Sequence, residues 1–594
     1  MALSAAQNRL VIGSRRYSSW SLRGWLAVHL AGLEVDEHII PLAGGSTPAV
    51  KALSPSGMVP FLQHDGALVW DSIAILEYCA EHHPPLWPAE RIARAVREGE
   101  PVAVYGDYDV DGLTATHLLC DFITRSGGRA VPFVPDRLTC GYGLSCEAVR
   151  GLSGQGVRLL VTVDCGVADH APVRAALECG LEVVVTDHHL PQGDLPQALA
   201  VVNPKRLPPD HPLFHLSGVG VAFYVAAAVR AELRACGWYD GAPEPNLREY
   251  LDLAAFGTVA DVMPLLGANR VLVSQGLREI ERGGRPSVEA LRRICGGGRE
   301  DPVTPWDISF RFAPRINAAS RLGRQDLVLR WLAAGTPEAA LECATEMDRL
   351  NRSRATIEAA IIGEAVSMVE EDPHLRDAPL LFLAREGWHH GILGLAAQRI
   401  VERYRRPAIL VSRKNGRWEG SGRSTGGFHL HEALRSCAGL LDRFGGHALA
   451  VGLSVAEGRL QEVRRALEAY ARERFRPAEP ALSVLARLSL AEVDEETLGW
   501  LERLGPFGPG CPEPVFVAEN LEVVSVELVK GEHLRMTLSQ GGARMGAMGF
   551  RLGGCCNGGA SRLRGCAFVP ERRVWRGESS IRLRIVDIAT EGAP

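Results

Sequence analysis

The chain has 594 residues, of which 46% are hydrophobic and 23% charged, and its formal net charge is −5. This length suits roughly three to five domains, and the slight acidity gives no overall signature of nucleic-acid binding, which would depend on local basic clusters. The 14 cysteines include no CxxC pair, which disfavours a zinc module or a disulfide scaffold and favours a reducing cytosol. We expect neither a secretory signal nor a membrane span, because no apolar run is long enough.

Residues 9–88 predict a small α/β unit. The strand-like RLVIG is followed by the helical SLRGWLAVHLAGL, a strand near EVDEHIIPL, two strands in GMVPFLQHDGALVW and a helix from Asp71. This β-α-β-β-β-α order is typical of a thioredoxin-like fold.

From about residue 89 to residue 270, short β-branched segments alternate with helical ones. The strand-like segments are VAVYGD, RAVPFVP, VRLLVTVD, LEVVVTDHH and ALAVVNP. Such alternation predicts βαβ units around a mostly parallel sheet. Residues 338–372 then favour one long helix, or two, because apolar positions recur three and four apart.

A second mixed α/β segment, with the strand-like PLLFLA and RPAILVS, follows to about residue 475. After the proline-rich FRPAEPAL, the remaining residues are rich in strand-like segments such as FVAENLEVVSVELV and SIRLRIVDI. A small β-barrel is predicted there.

The stretch PVAVYGDYDVDG ends an apolar run with three aspartates spaced two apart, Asp107, Asp109 and Asp111. If the chain stays extended here, the three carboxylates share one face, and such crowding favours a divalent cation among them. A solvated acidic turn explains the same residues, because Asp and Gly favour turns. This stretch alone does not separate the two interpretations.

Further carboxylates and imidazoles end other predicted elements. Asp164 ends VRLLVTVD, Asp187, His188 and His189 end LEVVVTDHH, and Asp261 follows the helical run in FGTVADVMPL. The carboxyl ends of parallel strands meet at one edge of the sheet, where ligands bind. Carboxylates with imidazoles suit manganese or magnesium better than zinc, and two such ions about 3.5–4 Å apart serve displacement at phosphorus.

Four motifs carry a family resemblance. GDYDVDGLTAT, VTVDCG, VVVTDHHLP and GTVADVMPL resemble, in order and spacing, the motifs of the DHH phosphoesterase superfamily. Later segments narrow the resemblance to RecJ-like single-stranded-DNA exonucleases, because APRINAASRLGR, WHHGILGLAAQRI, SGRSTGGFHL, FGGHALAVGL and LGPFGPGCPEPVF are similar to segments of that family. The resemblance covers about residues 89 to 590. Cys140 and Cys511 depart from it, since glutamate and asparagine are usual there.

The resemblance implies a multidomain α/β chain with a mostly parallel-sheet DHH core, a DHH-associated α/β domain and a C-terminal OB-type β-barrel. The expected domains are a thioredoxin-like segment at 1–88, the DHH catalytic domain at 89–337, a connecting helix at 338–372, the DHH-associated domain at 373–475 and the OB-type nucleic-acid-binding domain at 476–594.

The resemblance also implies a function: 5′-to-3′ hydrolysis of single-stranded DNA to mononucleotides with two Mn²⁺ ions, or Mg²⁺. The activity would belong to DNA repair and recombination in the cytoplasm, with a single-strand-binding protein and a helicase as expected partners. The expected metal ligands, with Asp164 as the bridge, are Asp107, Asp109, Asp111, Asp164, His188 and Asp261.

The remaining expected site residues also come from the resemblance. His189 would contact the scissile phosphate, Asp187 would orient the imidazoles, and Asp164 and Arg315 would complete the catalytic set. The expected DNA-binding residues, one cluster of which recognises the 5′ end, are Arg137, Arg315, Arg321, Ser421, Arg423, Gly445, Gly446 and His447.

The first 88 residues carry a different resemblance. YSSWSLRGWLAV, SGMVPFLQHDG and VWDSIAILEYCAEHHPPLWP resemble the N-terminal half of a glutathione S-transferase. This implies a thiolate-activating Ser18 or Ser21, a cis-proline loop at Val59–Pro60 and a glutathione-holding pair, Asp71 and Ser72. No helical domain follows to complete such an enzyme, so transferase activity is not expected. A gene fusion and an artefact joining two reading frames both explain the segment.

Three other functions compete with the exonuclease. A DHH phosphodiesterase acting on short oligonucleotides or cyclic dinucleotides would lack the C-terminal barrel. A non-catalytic replication scaffold would have lost metal ligands, whereas every expected ligand is present. A glutathione-binding module would involve only residues 1–88.

Overall fold

The computed structural model describes residues 8–13, 19–31, 33–41, 47–54, 56–72, 74–75, 78–79, 88–136, 143–191, 193–296, 302–477, 482–555, 561–575 and 578–590. Four β-sheets lie in these segments, each built from strands that are consecutive in the sequence. Among the described residues, none of the helices combines the length and the apolar character that a bilayer span requires.

The first sheet has the strand order β2-β1-β3-β4. Its strands are β1 (Arg9–Ile12), β2 (Asp36–Ile39), β3 (Phe61–His64) and β4 (Ala67–Trp70). β2 is parallel to β1, whereas β3 is antiparallel to β1 and β4. The helix Ser19–Leu30 packs against this sheet, and the Val59–Pro60 bond is cis, so the thioredoxin-like prediction is confirmed. The prediction omitted the helix Pro48–Leu53, since six residues are too few to show a helical period.

The second sheet is entirely parallel, with the order β6-β5-β7-β8-β9. Its strands are β5 (Pro101–Gly106), β6 (Arg129–Phe133), β7 (Leu159–Val163), β8 (Glu182–Thr186) and β9 (Ala200–Val202). The order reverses between β5 and β7, which opens a crevice beyond their carboxyl ends. This sheet confirms the predicted parallel core.

Helices cover both faces of the parallel sheet, so its strands β5, β7 and β8 are buried on both sides. Val102 and Val104 of β5 face one apolar core, and Ala103 and Tyr105 face another, as alternation along a strand requires. The helices around this sheet are Pro88–Glu98, Val110–Arg125, Cys146–Gly154, His170–Glu178, Gly218–Ala235, Leu251–Ala260, Gly267–Arg282 and Pro286–Ile294.

A helical region follows the parallel sheet. Residues 305–321 form one helical run: Pro305–Asp307, a π-helical segment at Ile308–Phe312, and Ala313–Arg321. Pro314 has no N–H to donate, and the wider π turn directly precedes it. After the helix Gln325–Leu332, the helix Pro337–Glu371 runs unbroken for 35 residues, so one long helix is present rather than two.

The third sheet has the order β10-β11-β12-β14-β13. Its strands are β10 (Leu381–Ala384), β11 (Ala408–Lys414), β12 (Arg417–Arg423), β13 (Arg443–Gly446) and β14 (Ala450–Ala456). Its helices are Pro373–Asp377, His390–Tyr404, Leu430–Ser436 and Leu460–Arg474. One apolar core lies under the helix His390–Tyr404 and another under Leu460–Arg474, which gives a mixed α/β unit.

The fourth sheet closes into a five-stranded barrel, because β16 pairs with both β17 and β19. Its strands are β15 (Ala486–Arg487), β16 (Phe516–Val529), β17 (His533–Gln540), β18 (Ala543–Gly549), β19 (Arg562–Trp575) and β20 (Glu578–Thr590). The helix Glu495–Leu504 precedes the barrel. The predicted small β-barrel is thereby confirmed.

Candidate metal centre

The three aspartates that follow β5 do not lie on an extended strand. Asp107 comes directly after β5, Asp109 is the N-cap of the helix Val110–Arg125, and Asp111 lies in its first turn. The carboxylate of Asp109 accepts the N–H of Gly112 at 3.1 Å, which starts a helix where the sequence pattern predicted alternation. The expectation that the three carboxylates share one face of an extended strand is therefore wrong. Gly112 is required, because a Cβ there would lie 2.5 Å from the carbonyl oxygen of Asp107.

The structure nevertheless brings all the predicted metal ligands together at one edge of the parallel sheet. Asp164 follows β7, Asp187 and His188 follow β8, and Asp261 ends the helix Leu251–Ala260. Three groups of side chains each place their ligand atoms within 4.8 Å of one another; the groups are Asp107 with Asp109 and Asp164, Asp111 with His188 and Asp261, and Asp164 with His188 and His189. The site lies at the crevice between β5 and β7.

His188 is the most informative residue of this cluster. Both of its ring nitrogens are buried and form no hydrogen bond. Nε2 lies 2.9 Å from Oδ1 of Asp164, 3.6 Å from Oδ2 of Asp261 and 3.9 Å from Oδ2 of Asp111. Burial, with a contribution from neighbouring His189, lowers the pKa of His188 to about 3. A neutral imidazole nitrogen facing three carboxylates fits a divalent cation between them.

The carboxylates of the cluster are held where their charged forms are unfavourable. Burial, followed by repulsion from Asp109, raises the pKa of Asp111 to about 7. Burial and repulsion from Asp111 raise the pKa values of Asp164 and Asp261 well above their ordinary value. A divalent cation would remove this repulsion. The residues therefore fit the Mn²⁺ or Mg²⁺ site that the sequence predicted.

Asp187 organises the second histidine rather than the first. Its Oδ1 lies 2.8 Å from Nδ1 of His189 and accepts the backbone N–H groups of His188 and His189, while its Oδ2 accepts the N–H of Val167. Burial opposes the charge on His189, but the contact with Asp187 raises the pKa of His189 to about 9. The side chain of His189 is 35% exposed. The two neighbouring imidazoles therefore differ in charge at neutral pH.

Two glycines that the sequence analysis did not assign to the site also shape it. The helix Gly218–Ala235 points its first amides at Asp111, whose carboxylate accepts the N–H of Gly218 at 2.6 Å and of Val219 at 2.8 Å. A Cβ on Gly218 would lie 2.5 Å from Cβ of Asp164, and one on Gly257 would lie 2.5 Å from Oδ1 of Asp111. In the sequence, Ser217 before Gly218 was the signal that could have indicated the start of a helix there.

Several predicted DNA-binding residues meet at the start of the helix His390–Tyr404. Arg321 donates to the carbonyl of Gly391 at 3.2 Å. Gly394, one turn further, leaves room for Arg423, since a Cβ there would lie 2.9 Å from its Nη2. We call the cluster formed by Arg321, Arg423, Ser421 and the first turn of this helix the arginine patch. A helix N-terminus with two guanidinium groups is suited to an anion.

The other predicted DNA-binding residues occupy different settings. Ser421 of β12 and Gly445 of β13 both pair with Gly452 of β14, so they lie in register across three strands. Gly446 and His447 follow Gly445 and are exposed. Arg315 lies 2.9 Å from Asp348 and donates to the carbonyl of Arg311. Arg137 and Cys140 lie outside the described residues.

In the N-terminal unit, Ser21 is buried and its hydroxyl oxygen accepts the N–H of Gly13 at 2.9 Å. Ser72 is also buried, and Asp71 beside it is exposed with a φ of 83°. Ser18 lies outside the described residues. The hydroxyl of Ser21 is thus engaged with the end of β1.

The parallel sheet and its acidic edge define the class of the protein. The DHH family N-terminal domain matches residues 101–258, and the DHHA1 domain matches residues 377–473. The RecJ OB domain matches residues 486–587, and the glutathione S-transferase N-terminal domain matches residues 17–82. A DHH-type phosphoesterase core is thus joined to a RecJ-type barrel.

Similar proteins make the assignment more specific. The chain is 39% identical over 507 residues to the single-stranded-DNA-specific exonuclease RecJ of Dickeya dadantii, covering 83% of this chain and 84% of that protein. It is 36% identical over 545 residues to the RecJ of Escherichia coli, covering 88% and 92%. The chain belongs to the RecJ family.

Solved structures agree with this assignment. The crystal structure of RecJ from Thermus thermophilus in complex with Mn²⁺ superposes with a TM-score of 0.72 at 33% identity, covering 85% of this chain and 71% of that one. The N-terminal unit is instead similar to glutathione S-transferase 1 of Dianthus caryophyllus, at 34% identity over 97 residues, which is 16% of this chain and 44% of that protein.

Proposed function

We propose that the protein is a metal-dependent exonuclease that hydrolyses single-stranded DNA to mononucleotides in the 5′-to-3′ direction. The observation that carries this proposal is the buried, neutral His188 among the carboxylates of Asp111, Asp164 and Asp261. Its relatives are named single-stranded-DNA-specific exonucleases, and the T. thermophilus structures are described with Mn²⁺ and Mg²⁺.

Six residues would hold two divalent ions, and they are Asp107, Asp109, Asp111, Asp164, His188 and Asp261. Asp164 would be the bridge: Asp164 and His188 each belong to two of the three groups of converging ligands, and of the two only the carboxylate has two oxygens to offer to two ions. Divalent ions in such a site supply a more acidic water and offset negative charge at phosphorus. The backbone N–H groups of Gly218 and Val219 donate to the carboxylate of Asp111 and so fix its orientation.

His189 would hold a proton beside the scissile phosphate. Asp187 keeps its imidazole charged and fixes Nδ1, so the remaining N–H of the ring can donate to a non-bridging phosphate oxygen. A charge-assisted hydrogen bond of this kind strengthens as negative charge develops on phosphorus. His189 therefore serves as a fixed electrostatic partner and not as a general base.

The arginine patch would bind backbone phosphates and the 5′ end of the strand. Arg321 and Arg423 both lie against the first turn of the helix His390–Tyr404, so their guanidinium groups and the positive end of this helix would attract the same anion. Ser421, Gly445, Gly446 and His447 would line the same cleft, and Arg137 and Arg315 would contact further phosphates. Recognition of the end explains removal of nucleotides from that end only.

The barrel would bind the single strand beyond the cleft, as OB-type barrels do for sequence-independent substrates. This distinguishes the proposal from a phosphodiesterase of short oligonucleotides, which has no use for such a barrel. We place the activity in DNA repair and recombination in the cytoplasm, beside a single-strand-binding protein and a helicase.

A length series tests the proposal. With Mn²⁺, the protein should degrade 5′-phosphorylated single strands of about 5 to 60 nucleotides, releasing 5′-end label first as mononucleotides, and should spare blunt duplex. Activity confined to the shortest strands, or release of 3′-end label first, would replace the proposal by the phosphodiesterase or by the opposite polarity.

A further inference from the structure

The segment that carries Asp261 has a strained turn. Asp261 ends the helix Leu251–Ala260, and Val262 after it has a φ of 57°. The amides of Val262 and of the following residue donate to carbonyls of the last helical turn, each at 3.2 Å, which is how left-handed helix ends are closed. A β-branched residue in this conformation is costly and persists only where the surroundings enforce it.

A distant loop, residues 504–511, which leads into the barrel, contacts the residues that follow this turn. The N–H of Leu265 donates to the carbonyl of Pro509 at 2.7 Å. A Cβ on Gly508 would lie 2.8 Å from Cδ1 of Leu265, and one on Gly510 would lie 3.1 Å from Cδ1 of Leu266. Leu265 is fully buried in the core of the parallel sheet. The loop therefore packs tightly against the segment that follows Asp261.

Arg270 fastens the same loop from a second direction. It lies in the first turn of the helix Gly267–Arg282, which begins directly after the segment 262–266. Its guanidinium donates to the carbonyls of Leu504, of Gly505 at 3.2 Å and of Pro506 at 3.5 Å, and lies 2.8 Å from Sγ of Cys511. One side chain thus joins both ends of the loop to the helix that follows Asp261 and its turn.

We propose that loop 504–511 positions Asp261. Through Arg270, the docking of this loop, and with it of the barrel into which it leads, is coupled to metal binding at the metal centre. The inference rests on the proposed role of Asp261 as a metal ligand. With the loop seated, Leu265 is fixed four residues beyond Asp261 and the turn at Val262 is held. With the loop displaced, the turn relaxes and the carboxylate leaves its group with Asp111 and His188. Coupling is reciprocal, so metal binding favours the seated loop.

Mn²⁺ binding to the full chain, measured from the free-Mn²⁺ signal in electron paramagnetic resonance, tests the coupling. Arg270→Ala removes the fastening, and Gly508→Ala pushes the loop from Leu265 while keeping Arg270. We expect each to weaken one Mn²⁺ site about tenfold, within the range of measured site-to-site couplings, with Arg270→Lys intermediate. Arg282→Ala, which removes an exposed arginine paired with Glu279 on the same helix, is the control and should bind as the unmodified chain does.

Hydrogen exchange supplies the reciprocal measurement. Mn²⁺ should slow exchange in peptides covering residues 504–511 of the unmodified chain and leave it unchanged in Arg270→Ala. Unaltered Mn²⁺ affinity in both Arg270→Ala and Gly508→Ala would overturn the coupling. Equal weakening of Mn²⁺ binding in Arg282→Ala would overturn it too. Asp261→Asn distinguishes a failure of the coupling from a failure of the proposed function. If this variant binds two ions normally, the assignment of Asp261 as a metal ligand is wrong. If it binds Mn²⁺ weakly while Arg270→Ala binds normally, only the coupling is wrong.

Discussion

The carboxylate of Asp187 lies 2.8 Å from Nδ1 of His189, and this contact separates the pKa of His189 from that of its neighbour His188. Burial lowers the pKa of His188 to about 3, while the contact with Asp187 outweighs burial and raises that of His189 to about 9. The neutral ring faces the carboxylates of the cluster. The charged ring is partly exposed, where it can meet an anionic substrate.

Titration of His189 should therefore be displaced toward alkaline pH. Since its folded-state pKa lies above the ordinary 6.5, the contact stabilises the metal-free fold fully below pH 6.5, and this contribution is lost as pH rises through about 9. Histidine-selective carbon-13 NMR of the metal-free chain measures the pKa, with His189→Gln identifying the signal. Asp187→Asn should lower it by about one to two units. A His189 signal titrating near 6.5 in the unmodified chain would contradict this.

His188 should be needed for metal binding more than for folding. We expect His188→Ala to lose at least about 100-fold in activity, because even residues that only support metal ligands cost about 10- to 100-fold. Calorimetric titration with Mn²⁺ should show weaker binding or one ion lost, while the unfolding temperature in chelator stays unchanged. His170→Ala, an exposed histidine that begins the helix His170–Glu178, is the matched control. Normal Mn²⁺ binding by His188→Ala would remove His188 from the ligand set.

Asp164 should show opposite effects on activity and on stability of the metal-free protein. Burial and repulsion from Asp111 raise its pKa, so the ionised carboxylate disfavours the fold near neutral pH, and stability should increase as pH falls. Asp164→Asn should raise the unfolding temperature in chelator by a few degrees, while activity with Mn²⁺ falls at least about 1,000-fold.

Differential scanning calorimetry in chelator and a nuclease assay with Mn²⁺ check the two parts. Mn²⁺ should raise the unfolding temperature of the unmodified chain more than that of Asp164→Asn. A lower unfolding temperature for Asp164→Asn in chelator would mean that the repulsion is compensated in the folded protein.

The arginine patch should determine recognition of the 5′ end. A Cβ on Gly394 would lie 2.9 Å from Nη2 of Arg423. The larger side chain of Gly394→Leu would therefore push the guanidinium of Arg423 away. We expect KM for a 5′-phosphorylated strand to rise about tenfold with little change in kcat, the size of one charge-assisted hydrogen bond. Arg423→Ala should act in the same way, and both should lose the preference over 5′-hydroxyl ends. Gly363→Ala, at an open position in the helix Pro337–Glu371, is the control.

Removal of the thioredoxin-like unit should leave nuclease activity within about twofold, because a unit with its own hydrophobic core can be removed without disturbing the rest of the chain. Its apolar core, around Leu10 and Leu62, is separate from the core of the parallel sheet. The cut should precede residue 88, since the helix Pro88–Glu98 buries Ile92 in the latter core and Arg91 pairs with Glu182 at 2.6 Å. Faster cleavage after removal would show that the unit obstructs the DNA path.

The sequence predicted those features that local patterns encode. The strands β7 and β8 are buried on both sides, and Asp164 and Asp187 follow them directly, so the meeting of these two carboxylates at one edge of the sheet could be inferred. The same patterns misplaced Asp109, because a residue that caps a helix and one that alternates along a strand share one spacing. The domain limits stay predictions.

Contacts between distant segments carry no local signal. Arg270 and loop 504–511 are more than 230 residues apart, and the pairing of β16 with β19 closes the barrel across intervening strands. Gly218 and Gly257 matter because of the side chains opposite them, which a single sequence does not reveal. Long-range packing therefore had to come from the structure.

The π-helical segment at Ile308–Phe312 holds about one residue more than an α-helical turn would. An α-helix turns by about 100° per residue, so a deletion within a regular helix swings the later side chains around its axis, whereas a deletion within this wide turn removes the surplus residue and keeps their phase. Arg315 would then still face Asp348, and Arg321 would still reach Gly391. The wide turn is thus a place where this helical run can lose a residue without turning either arginine from its neighbour.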